Sequence, residues 1–552
     1  MAPRVVRHRV ARHRALDRRR VPCVGRREGR SPKPPETRRG ARRAKTQRVR
    51  AKSRDRLAND WQRLRVLQTN GYRTRGEGSN RTTRLLDSGE PRRAALGVIR
   101  KTAAVWAGKA TGTLSRVTRR GGGTTLPGDV ARAIDPKILT RLAQDLTYGS
   151  IVITGTNGKT TTARLVSYLL EGAGHRVVSN RAGANLIFGA TAAALDRAGA
   201  DGRLRADWGV FEIDEASLPR AVDEIQPRAT LVLNLFRDQL DRYGELESIA
   251  KKIEQALSTL PEGARAVLNA DDPRVAEIGL GLPYRPLWYG LDDVSIAAKT
   301  LPHAADARTC PRCGASLIFD AVYVGHDGVY RCPNGDFARP EPDLRATDIK
   351  LNGFESLALT IAGTRIELPL GGLYNCYNVL AAYAVAYSVG LEPQYIADRL
   401  KTFKPAFGRQ ERVEFRGRHL VLVLSKNPAG FNETVRTAVD LAKGTNYILG
   451  LNDRKADGTD VSWIWDVDFE QLKDRARVVI PAGVRAHDLA VRLKYAGVKA
   501  EAPETDPGKA LDVLIKNTDE GDTAYVLCTY TAMLDIRAEL VRRGWAQPYW
   551  ET

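Results

Sequence analysis

Apolar and polar positions alternate in blocks along most of the chain, and these blocks predict an α/β protein. Residues 150–154 form a short, β-branched apolar run that is typical of a buried strand. Similar runs follow, and the segments between them have the three-to-four-residue apolar spacing of helices. Further strands are predicted at 176–179, 208–213, 230–235, 266–268, 419–424, 447–451, 478–481 and 524–528, with alternating strands over 347–369. Strands that alternate with helices favour parallel, doubly wound sheets.

The pattern divides the chain into four segments. Residues 98–411 are predicted to form a central domain with a parallel sheet covered by helices on both faces, and 412–552 a smaller Rossmann-like α/β domain. The boundary is a loop-like stretch around 405–412. Residues 308–340 interrupt the central domain with a cysteine-rich insertion. A chain of 552 residues is too long for one ordinary core, which agrees with this division.

Charge sets residues 1–97 apart from the remainder of the chain. This leader contains 30 Lys and Arg against 8 Asp and Glu, a net charge of +22, while the remaining residues carry +1. It has too few periodic apolar residues to offset its ordering entropy. Three interpretations stay open: a solvated, disordered extension, a basic arm for nucleic acid or anionic membranes, or a misassigned start with the true N-terminus near Val98. The neutral remainder argues against a nucleic-acid-binding ATPase.

The length of apolar runs and the cysteine content indicate the cellular compartment. No run of eighteen apolar residues is present, and no apolar stretch follows the basic N-terminus, so neither a transmembrane helix nor a secretory signal is expected. Six cysteines do not form a disulfide framework, which predicts a reducing compartment. We therefore expect a cytoplasmic protein.

A glycine-rich loop follows the first predicted strand and precedes a predicted helix. Such a loop aims backbone N–H groups and the helix dipole at an anion. Only two residues separate Gly155 from Gly158, whereas the strict P-loop has four, but the strand–loop–helix context is retained. The predicted phosphate-binding residues are Thr154, Gly155, Thr156, Asn157, Gly158, Lys159, Thr160 and Thr161.

Acidic residues at the end of the predicted strand 208–213 are candidates for holding Mg²⁺ with Thr160. Glu212 lies between Phe211 and Ile213, and Asp214 and Glu215 follow in the emerging loop. A carboxylate on a neighbouring strand and the loop hydroxyl are typical Mg²⁺ ligands in phosphoryl-transfer enzymes. We expect Glu212 to be a ligand, and the roles of the other two stay open.

The insertion contains Cys310 and Cys313 in zinc-knuckle spacing, and Cys332 begins a second knuckle. Position 335, where a fourth cysteine would complete the site, is Gly335. Asp336 is the predicted substitute ligand, with His326 as the other candidate. A Cys₃-plus-one zinc site and a metal-free ribbon stay open as alternatives.

Several motifs resemble the Mur ligase superfamily. They are the glycine loop, 233–244, Leu268 to Pro273, Asn375 with Asn378, and 408–411. Within the superfamily the chain looks most like the MurT family, the synthetase subunits of lipid II isoglutaminyl synthase. The short segment before the loop, Asp238-Gln239 in place of the usual Asp-His, the cysteine cluster, and the stretches 426–433 and 452–466 carry that resemblance.

The resemblance implies an ATP- and Mg²⁺-dependent, glutamine-hydrolysing carbon–nitrogen ligase of peptidoglycan synthesis. It would activate the α-carboxyl of D-isoglutamate in the lipid II stem peptide as an acyl phosphate and amidate it. The ammonia would come from a GatD-type class I glutamine amidotransferase in a heterodimer, at the inner membrane face. The implied nucleotide-binding residues are Asn269, Asp271, Asp272, Asn375, Asn378 and Arg409. An aspartate of the last domain would approach the partner's histidine, and the candidates are Asp453, Asp457 and Asp460.

One alternative from the same superfamily stays open. A MurE-like or folylpolyglutamate-synthase-like ligase would add an amino acid rather than ammonia, without a glutaminase. It would leave the stretch 453–465 unexplained.

Overall fold

The computed structural model describes residues 90–118, 125–180, 184–237, 245–298, 300–302, 305–404, 410–441 and 444–547. All of these residues belong to one compact unit, 84–552. No helix in this part of the chain is long and apolar enough to cross a membrane.

The first large part of the fold is a nine-stranded sheet with its helices. The helices are α1 (Glu90–Thr118), α2 (Leu126–Ile134), α3 (Ile138–Ala143), α4 (Lys159–Gly172), α5 (Ile187–Arg197), α6 (Leu218–Ile225), α7 (Glu245–Ser258), α8 (Pro273–Gly281), α9 (Leu373–Ser388) and α10 (Pro393–Leu400). The strands are β1 (Gly149–Thr154), β2 (Val177–Ser179), β3 (Trp208–Glu212), β4 (Ala229–Val232), β5 (Arg265–Asn269), β6 (Leu287–Leu291), β9 (Leu344–Asn352), β10 (Ser356–Ile361) and β11 (Thr364–Leu368), and β7 (Ile318–Val322) pairs with β8 (Gly328–Arg331) in a separate hairpin. One-turn 3₁₀ helices occur at Glu215–Ser217 and Val294–Ile296.

The strand order of the large sheet is β11-β10-β9-β6-β5-β4-β1-β3-β2. The strands from β2 to β9 run parallel, and only β10 and β11 are antiparallel additions. Strand β1 pairs with β3 on one side and β4 on the other, so the chain changes direction across the sheet here. Such a switch point leaves a crevice at the carboxyl ends of its strands, where α/β proteins bind ligands. The glycine loop lies at this crevice.

The second part is a five-stranded sheet in the order β12-β13-β16-β14-β15. Its strands are β12 (Gln410–Phe415), β13 (Arg418–Leu424), β14 (Thr445–Gly450), β15 (Ala476–Ala482) and β16 (Thr523–Cys528). Its helices are α11 (Pro428–Leu441), α12 (Ala486–Tyr495), α13 (Pro507–Asn517) and α14 (Tyr530–Arg542), with 3₁₀ turns at Ser462–Asp466 and Phe469–Leu472. All pairs are parallel except β12 with β13.

Two apolar cores cover the two faces of this smaller sheet. Phe431 of α11 and Leu489 of α12 belong to one, and Leu511 of α13 and Ile536 of α14 belong to the other. Because both faces are covered, β14 is buried along its whole length. The predicted α/β class with parallel, doubly wound sheets is confirmed in both parts.

Besides the hairpin strands β7 and β8 of the insertion, two strands were not predicted, and the reasons can be identified. Strand β6 contains no β-branched residue, and it includes Gly290, where a Cβ would lie 2.3 Å from Oδ1 of Asp271, so a side chain is excluded. In β12, the inward position is the charged Glu411, which is buried and forms an ion pair with Arg537 of α14, Nε–Oε2 2.8 Å. A charged residue at a core position hides the alternation of apolar and polar residues.

One boundary also differs from the prediction. Helix α1 begins at Glu90, inside the segment predicted to be a leader, rather than at residue 98. The remaining residues of that leader lie outside the described part of the chain.

Candidate active site

The glycine loop joins β1 to α4 through two residues with positive φ. Gly155 has φ +128° and Gly158 has φ +90°. A Cβ on Gly155 would lie 2.9 Å from Cβ of Leu233 and 3.0 Å from the backbone of Asn234. Glycine is therefore required on both counts, conformation and space. The tight turn ends at the N-terminus of α4, where the positive end of the helix dipole lies.

The first residues of α4 carry the charged groups of the loop. The Lys159 ammonium donates to the carbonyl of Gly155 at 2.5 Å and forms an ion pair with Glu215 at 3.0 Å. The Thr160 hydroxyl donates to Oε2 of Glu212 at 2.7 Å. These four side chains lie at the carboxyl ends of β1 and β3, and those of Lys159, Glu212 and Glu215 are buried. A cation, a hydroxyl and two carboxylates are thus gathered within one crevice.

The loop after β4 holds the glycine loop from the side. The Thr156 hydroxyl donates to the carbonyl of Phe236 at 2.9 Å and accepts from its N–H at 3.0 Å. The Asn157 N–H donates to Oδ1 of Asn234 at 2.9 Å. These contacts fix the loop before any ligand arrives, which lowers the ordering cost of anion binding.

Helix α9 closes the crevice with a pair of asparagines. Asn378 donates to Oδ1 of Asn375 at 2.9 Å, and its own Oδ1 accepts from the Thr162 hydroxyl at 3.4 Å. A Cβ on Gly158 would lie only 2.1 Å from Oδ1 of Asn378. Asn378 therefore lies directly against the loop, and both asparagines are buried.

Asp271 and Asp272 follow β5 and are fully buried. Asp271 accepts from Arg339 at 2.6 Å and from the Tyr377 hydroxyl at 2.7 Å. Burial raises the pKa of Asp271, and the positive charge of Arg339 opposes that rise. In this geometry Asp271 joins β5 to α9 and the insertion.

Asp272 caps helix α8. It accepts from the N–H groups of Arg274 at 2.8 Å and Val275 at 3.1 Å, and its other oxygen accepts from the N–H of Leu235 at 2.6 Å. It thereby joins α8 to the loop that supports the glycine loop. Asn269, which is equally buried, accepts from the N–H of Asp271 at 3.0 Å. These three side chains, predicted to border the nucleotide, form the inner support of the crevice.

The insertion contributes a buried group beside Asp272. Nε2 of His326 lies 3.5 Å from Oδ2 of Asp272, and its ring packs against Phe236 at 4.6 Å between centroids. Asp327 is also fully enclosed, and burial together with Asp272 and Asp271 raises its pKa well above the usual value. His326 therefore faces the crevice support and not the cysteines, so its candidacy as a zinc ligand was wrong.

The three cysteine sulfurs of the insertion come together. Sγ of Cys313 and Sγ of Cys332 are 3.4 Å apart, and with Cys310 they form a group whose atoms lie within 4.8 Å of one another. The backbone N–H of Asn334 donates to Sγ of Cys332 at 3.4 Å, as in a knuckle. Asp336 is exposed and is not a member of the group, so the structure does not bring the predicted fourth ligand to the sulfurs. Its carbonyl instead accepts from Arg312.

The carboxyl edge of the smaller sheet meets the glycine loop. Nδ2 of Asn427, between β13 and α11, donates to Oδ1 of Asn157 at 2.9 Å. The loop after β14, which carries Asp453, Asp457 and Asp460, leaves the same edge because β13 and β14 both run parallel to β16. The crevice therefore lies between the carboxyl edges of two sheets.

The three aspartates of this loop have different environments. Asp457 is buried and accepts from the N–H of Thr531 at 2.8 Å and from its hydroxyl, so it is committed to the N-terminus of α14. Asp460 is exposed, and hydrogen bonds from the N–H and hydroxyl of Ser462 lower its pKa. Asp453 is half-buried, and its Oδ2 lies 3.7 Å from Nη1 of Arg485. Asp453 and Asp460 remain the accessible candidates.

A pocket and an apolar surface adjoin this loop. Asp460, Trp465 and Arg485 are among the residues that line the pocket. The Trp465 surface consists of Trp465, Val484, Val491 and Tyr495, all exposed. The Trp465 and Tyr495 rings contact edge to face at 5.4 Å, so the surface is continuous with the pocket wall. Large exposed apolar groups beside a pocket are typical of a protein interface.

Two predicted features lie outside the described residues, namely Arg409 and the Asp238-Gln239 pair. Two residues that contribute to the site were not predicted from the sequence. Asn180 exchanges hydrogen bonds with the backbone of Glu212 at 2.8 Å, and Arg339 neutralises Asp271. Neither lies in a motif, and only the strand order brings each of them to the crevice.

Comparison with known proteins first defines the class. The family described as "Mur ligase middle domain" matches residues 153–309. Solved structures agree in fold: a pseudomurein peptide ligase type C from Methanothermus fervidus (TM-score 0.56, 23% identity, 72% of this chain and 78% of that one) and MurF from Acinetobacter baumannii (TM-score 0.56, 17% identity, 75% and 80%). The fold is that of the Mur ligases.

The sequence relatives narrow the class. "MurT ligase C-terminal" matches residues 424–533. The MurT subunit of lipid II isoglutaminyl synthase (glutamine-hydrolyzing) from Streptococcus pneumoniae (strain ATCC BAA-255 / R6) is 36% identical over 77% of this chain and 94% of its own. The corresponding subunit from Staphylococcus aureus (strain COL) is 33% identical over 76% and 93%. The chain therefore belongs to the MurT family.

Proposed function

We propose that this chain is the synthetase subunit of a lipid II isoglutaminyl synthase. It uses ATP to amidate the α-carboxyl of the D-isoglutamyl residue in the lipid II stem peptide, with ammonia from a GatD-type glutaminase. The observation that carries the proposal is the similarity to MurT subunits over nearly their whole length, joined to a preformed phosphate loop. The chain would act in peptidoglycan synthesis at the inner face of the cell membrane.

The loop residues fit ATP and Mg²⁺. Residues 154–161 supply N–H groups and the helix N-terminus for the phosphates, and Lys159 supplies positive charge. The Thr160 hydroxyl and the Glu212 carboxylate are oxygen ligands of the kind Mg²⁺ prefers, and they already lie 2.7 Å apart. When bound, Mg²⁺ would neutralise phosphate charge during transfer. Asn375 and Asn378 would lie on the base side of the nucleotide, and Arg409 would approach it from the domain junction.

Asn269, Asp271 and Asp272 would act indirectly in this proposal. Their side chains are buried and bonded within the protein, so they would hold the β4 loop and α9 in place around the nucleotide. Lys159, which is paired with Glu215 here, would exchange part of that contact for phosphate oxygens. Such an exchange keeps the buried ammonium neutralised in both states.

The chemistry requires activation because a carboxylate is a poor acceptor for ammonia. A carboxylate oxygen of the substrate attacks the γ-phosphorus, an O–P bond forms, and the bond to the β–γ bridging oxygen breaks to release ADP. The ammonia nitrogen then attacks the carbonyl carbon, the C–O bond to phosphate breaks, and the nitrogen loses a proton to the released phosphate. Preorganised positive charge stabilises both steps.

The glutaminase would dock on the smaller sheet. The Trp465 surface supplies apolar contact area, and the pocket beside it contains Asp460 and Arg485. Asp453 or Asp460 would orient the partner's catalytic histidine, as the third member of a triad does. Asp457 is less suited because both of its oxygens already bind Thr531.

The domain boundaries are proposed from the two sheets. The central domain would extend to the junction around 405–412, with the insertion at 308–340, and the last domain would follow. Zinc fits the insertion in part: three sulfurs supply three of the four ligands of a structural site. No histidine or carboxylate among the described residues joins them as a fourth.

The test supplies lipid II, ATP, Mg²⁺ and glutamine to the purified chain with and without its glutaminase, and follows amidated lipid II by mass spectrometry. We expect product only with both subunits. Ammonium chloride in place of glutamine should restore product without the partner. A Lys159→Met variant should lose amidation with either nitrogen source and keep its affinity for the glutaminase. Absence of product with both subunits and glutamine would contradict the proposal.

The same assay separates the aspartates and the alternative function. Asp453→Asn or Asp460→Asn, whichever orients the partner's histidine, should lose glutamine-dependent and keep ammonium-dependent amidation. Loss of both activities would mean a role in this chain's own chemistry. Incorporation of an added amino acid in the absence of a glutaminase would instead support the amino-acid ligase.

A further inference from the structure

Helix α1 has an inner face that is fixed by close packing. Ala104, Val105 and Gly108 are buried on this face. A Cβ on Gly108 would lie 2.7 Å from Cδ1 of Leu195 in α5 and 3.1 Å from the carbonyl of Pro127 in α2. The rotation of α1 about its axis is therefore set by α2 and α5.

The opposite face presents a second apolar stripe to the surface. Ile99 is 65% exposed and Trp106 is 56% exposed. They are seven residues apart, which is two turns, and the exposed Ala103 and Ala110 continue the same line. Val98 and Leu114 are equally exposed beside it. We call Ile99, Ala103, Trp106 and Ala110 the outer stripe, and its ends are about 16 Å apart.

Along the chain, the charged residues of the segment that contains the outer stripe have one sign. Residues 91–128 contain 8 Arg and Lys and no Asp or Glu. Arg100 and Lys109 belong to this set and lie on either side of the stripe in the helical projection. The preceding residues 1–90 are also strongly basic, with 28 Lys and Arg against 8 Asp and Glu, a net charge of +20. An exposed apolar stripe flanked by basic residues is complementary to a surface that is anionic and has an apolar interior.

We propose that α1 docks the enzyme on an anionic membrane surface, with the outer stripe in the headgroup–acyl boundary. A helix with tryptophan on an apolar face and flanking basic residues is typical of an interfacial anchor. Each basic residue near the surface adds attraction to anionic lipids. A second copy of the chain is a poorer counterpart because it would bring two basic helices together. The inference deepens the proposed function, since it would hold the site close to a lipid-linked substrate.

The test measures binding of the full chain, alone and with its glutaminase, to sedimenting vesicles. One set contains phosphatidylcholine with one third phosphatidylglycerol, and the other contains phosphatidylcholine alone. We expect binding to the first set that weakens with added salt, and little binding to the second. The double variant Ile99→Gln, Trp106→Gln should bind at least about tenfold more weakly, because each lost side chain removes apolar contact with the membrane.

A matched control keeps the test specific. Leu280→Gln with Val294→Gln removes two other exposed apolar side chains, in α8 and in the 294–296 turn, and should bind like the unmodified chain. Both double variants should unfold at the same temperature as the unmodified chain, because none of the four side chains is in a core. Equal vesicle binding by both double variants would overturn the inference. So would selective loss, in the α1 variant, of self-association or of glutaminase affinity with vesicle binding intact.

Amidation assays separate this inference from the function on which it rests. The α1 variant should amidate a short-chain, water-soluble substrate analogue normally and vesicle-embedded lipid II poorly. Equal rates on the two substrates would count against docking by α1. If neither substrate is amidated by the unmodified complex, the proposed function fails, whereas the vesicle-binding comparison still decides the docking of α1.

Discussion

The close approach of helix α9 to the glycine loop makes Gly158→Ala a quantitative test of the site. Two effects are expected. A non-glycine residue at φ +90° costs about 1–2 kcal/mol. The new Cβ would also fall 2.1 Å from Oδ1 of Asn378 and displace that side chain. Its hydrogen bonds to Asn375 and Thr162 would be lost or weakened, at about 0.5–1.5 kcal/mol each.

Gly174 offers a matched control at the other end of the same helix. It has φ +88°, nearly the same backbone conformation, and nothing within 4 Å of an added Cβ. Gly174→Ala should therefore lower the free energy of unfolding by only the backbone part, about 1–2 kcal/mol. Gly158→Ala should lower it by about 1–3 kcal/mol more. The difference between the two variants isolates the contact with Asn378.

Urea denaturation and calorimetric ATP titration measure the two consequences. We expect ATP affinity to fall at least about tenfold in Gly158→Ala, because the start of α4 must move, and to remain unchanged in Gly174→Ala. If the two variants were equally stable and bound ATP equally well, the close approach of Asn378 to the loop would be refuted. Reduced stability with unchanged ATP affinity would show that the loop is not where the phosphates bind.

Three further predictions concern other parts of the site. Because the folded-state pKa of Asp327 is raised, its carboxyl lowers the free energy of unfolding as the pH rises above the unfolded-state pKa of about 4. Asp327→Asn should therefore raise the midpoint of thermal unfolding at neutral pH, and this gain should vanish near pH ~4. A gain that does not depend on pH would argue against this cause. Asp457→Ala should lower the free energy of unfolding by about 2–4 kcal/mol and Asp460→Ala by less than about 1 kcal/mol, measured with urea; equal effects would contradict the difference in burial. Elemental analysis of purified protein should find one zinc per chain, lost in Cys313→Ser and kept in Asp336→Ala, whereas zinc-free protein would favour the metal-free ribbon.

Local sequence accounted for the elements whose pattern is periodic and uncharged. The run Ser150 to Thr154 became β1 because both faces of that strand are buried, which demands apolar residues throughout. The residues around Gly155 and Gly158 form the predicted strand–loop–helix junction for a local reason, since both have positive φ. Asn375 and Asn378 lie about one turn apart in α9, which begins at Leu373.

Where the prediction failed, a distant partner compensated for a locally unfavourable residue. Glu411 can occupy an inward position of β12 only because Arg537, more than a hundred residues later, neutralises it. His326 was considered for the thiol group by its position in the sequence, yet the hairpin of β7 and β8 turns it toward Asp272. A burial penalty removed by a residue far along the chain is not visible in any local window.

The sequence by itself determined the α/β class, the order of the predicted strands, the glycine loop between a strand and a helix, and the family resemblance, because each depends on residues close together in the chain. The tertiary structure decided which groups share the crevice: Glu215 with Lys159, Asn378 against Gly158, and Asn427 against Asn157. It also distinguished the buried Asp457 from the accessible Asp453 and Asp460. On α1 it revealed a second apolar face, which is exposed. Distance and burial are set by how sheets and helices pack, and spacing along the chain carries no measure of either.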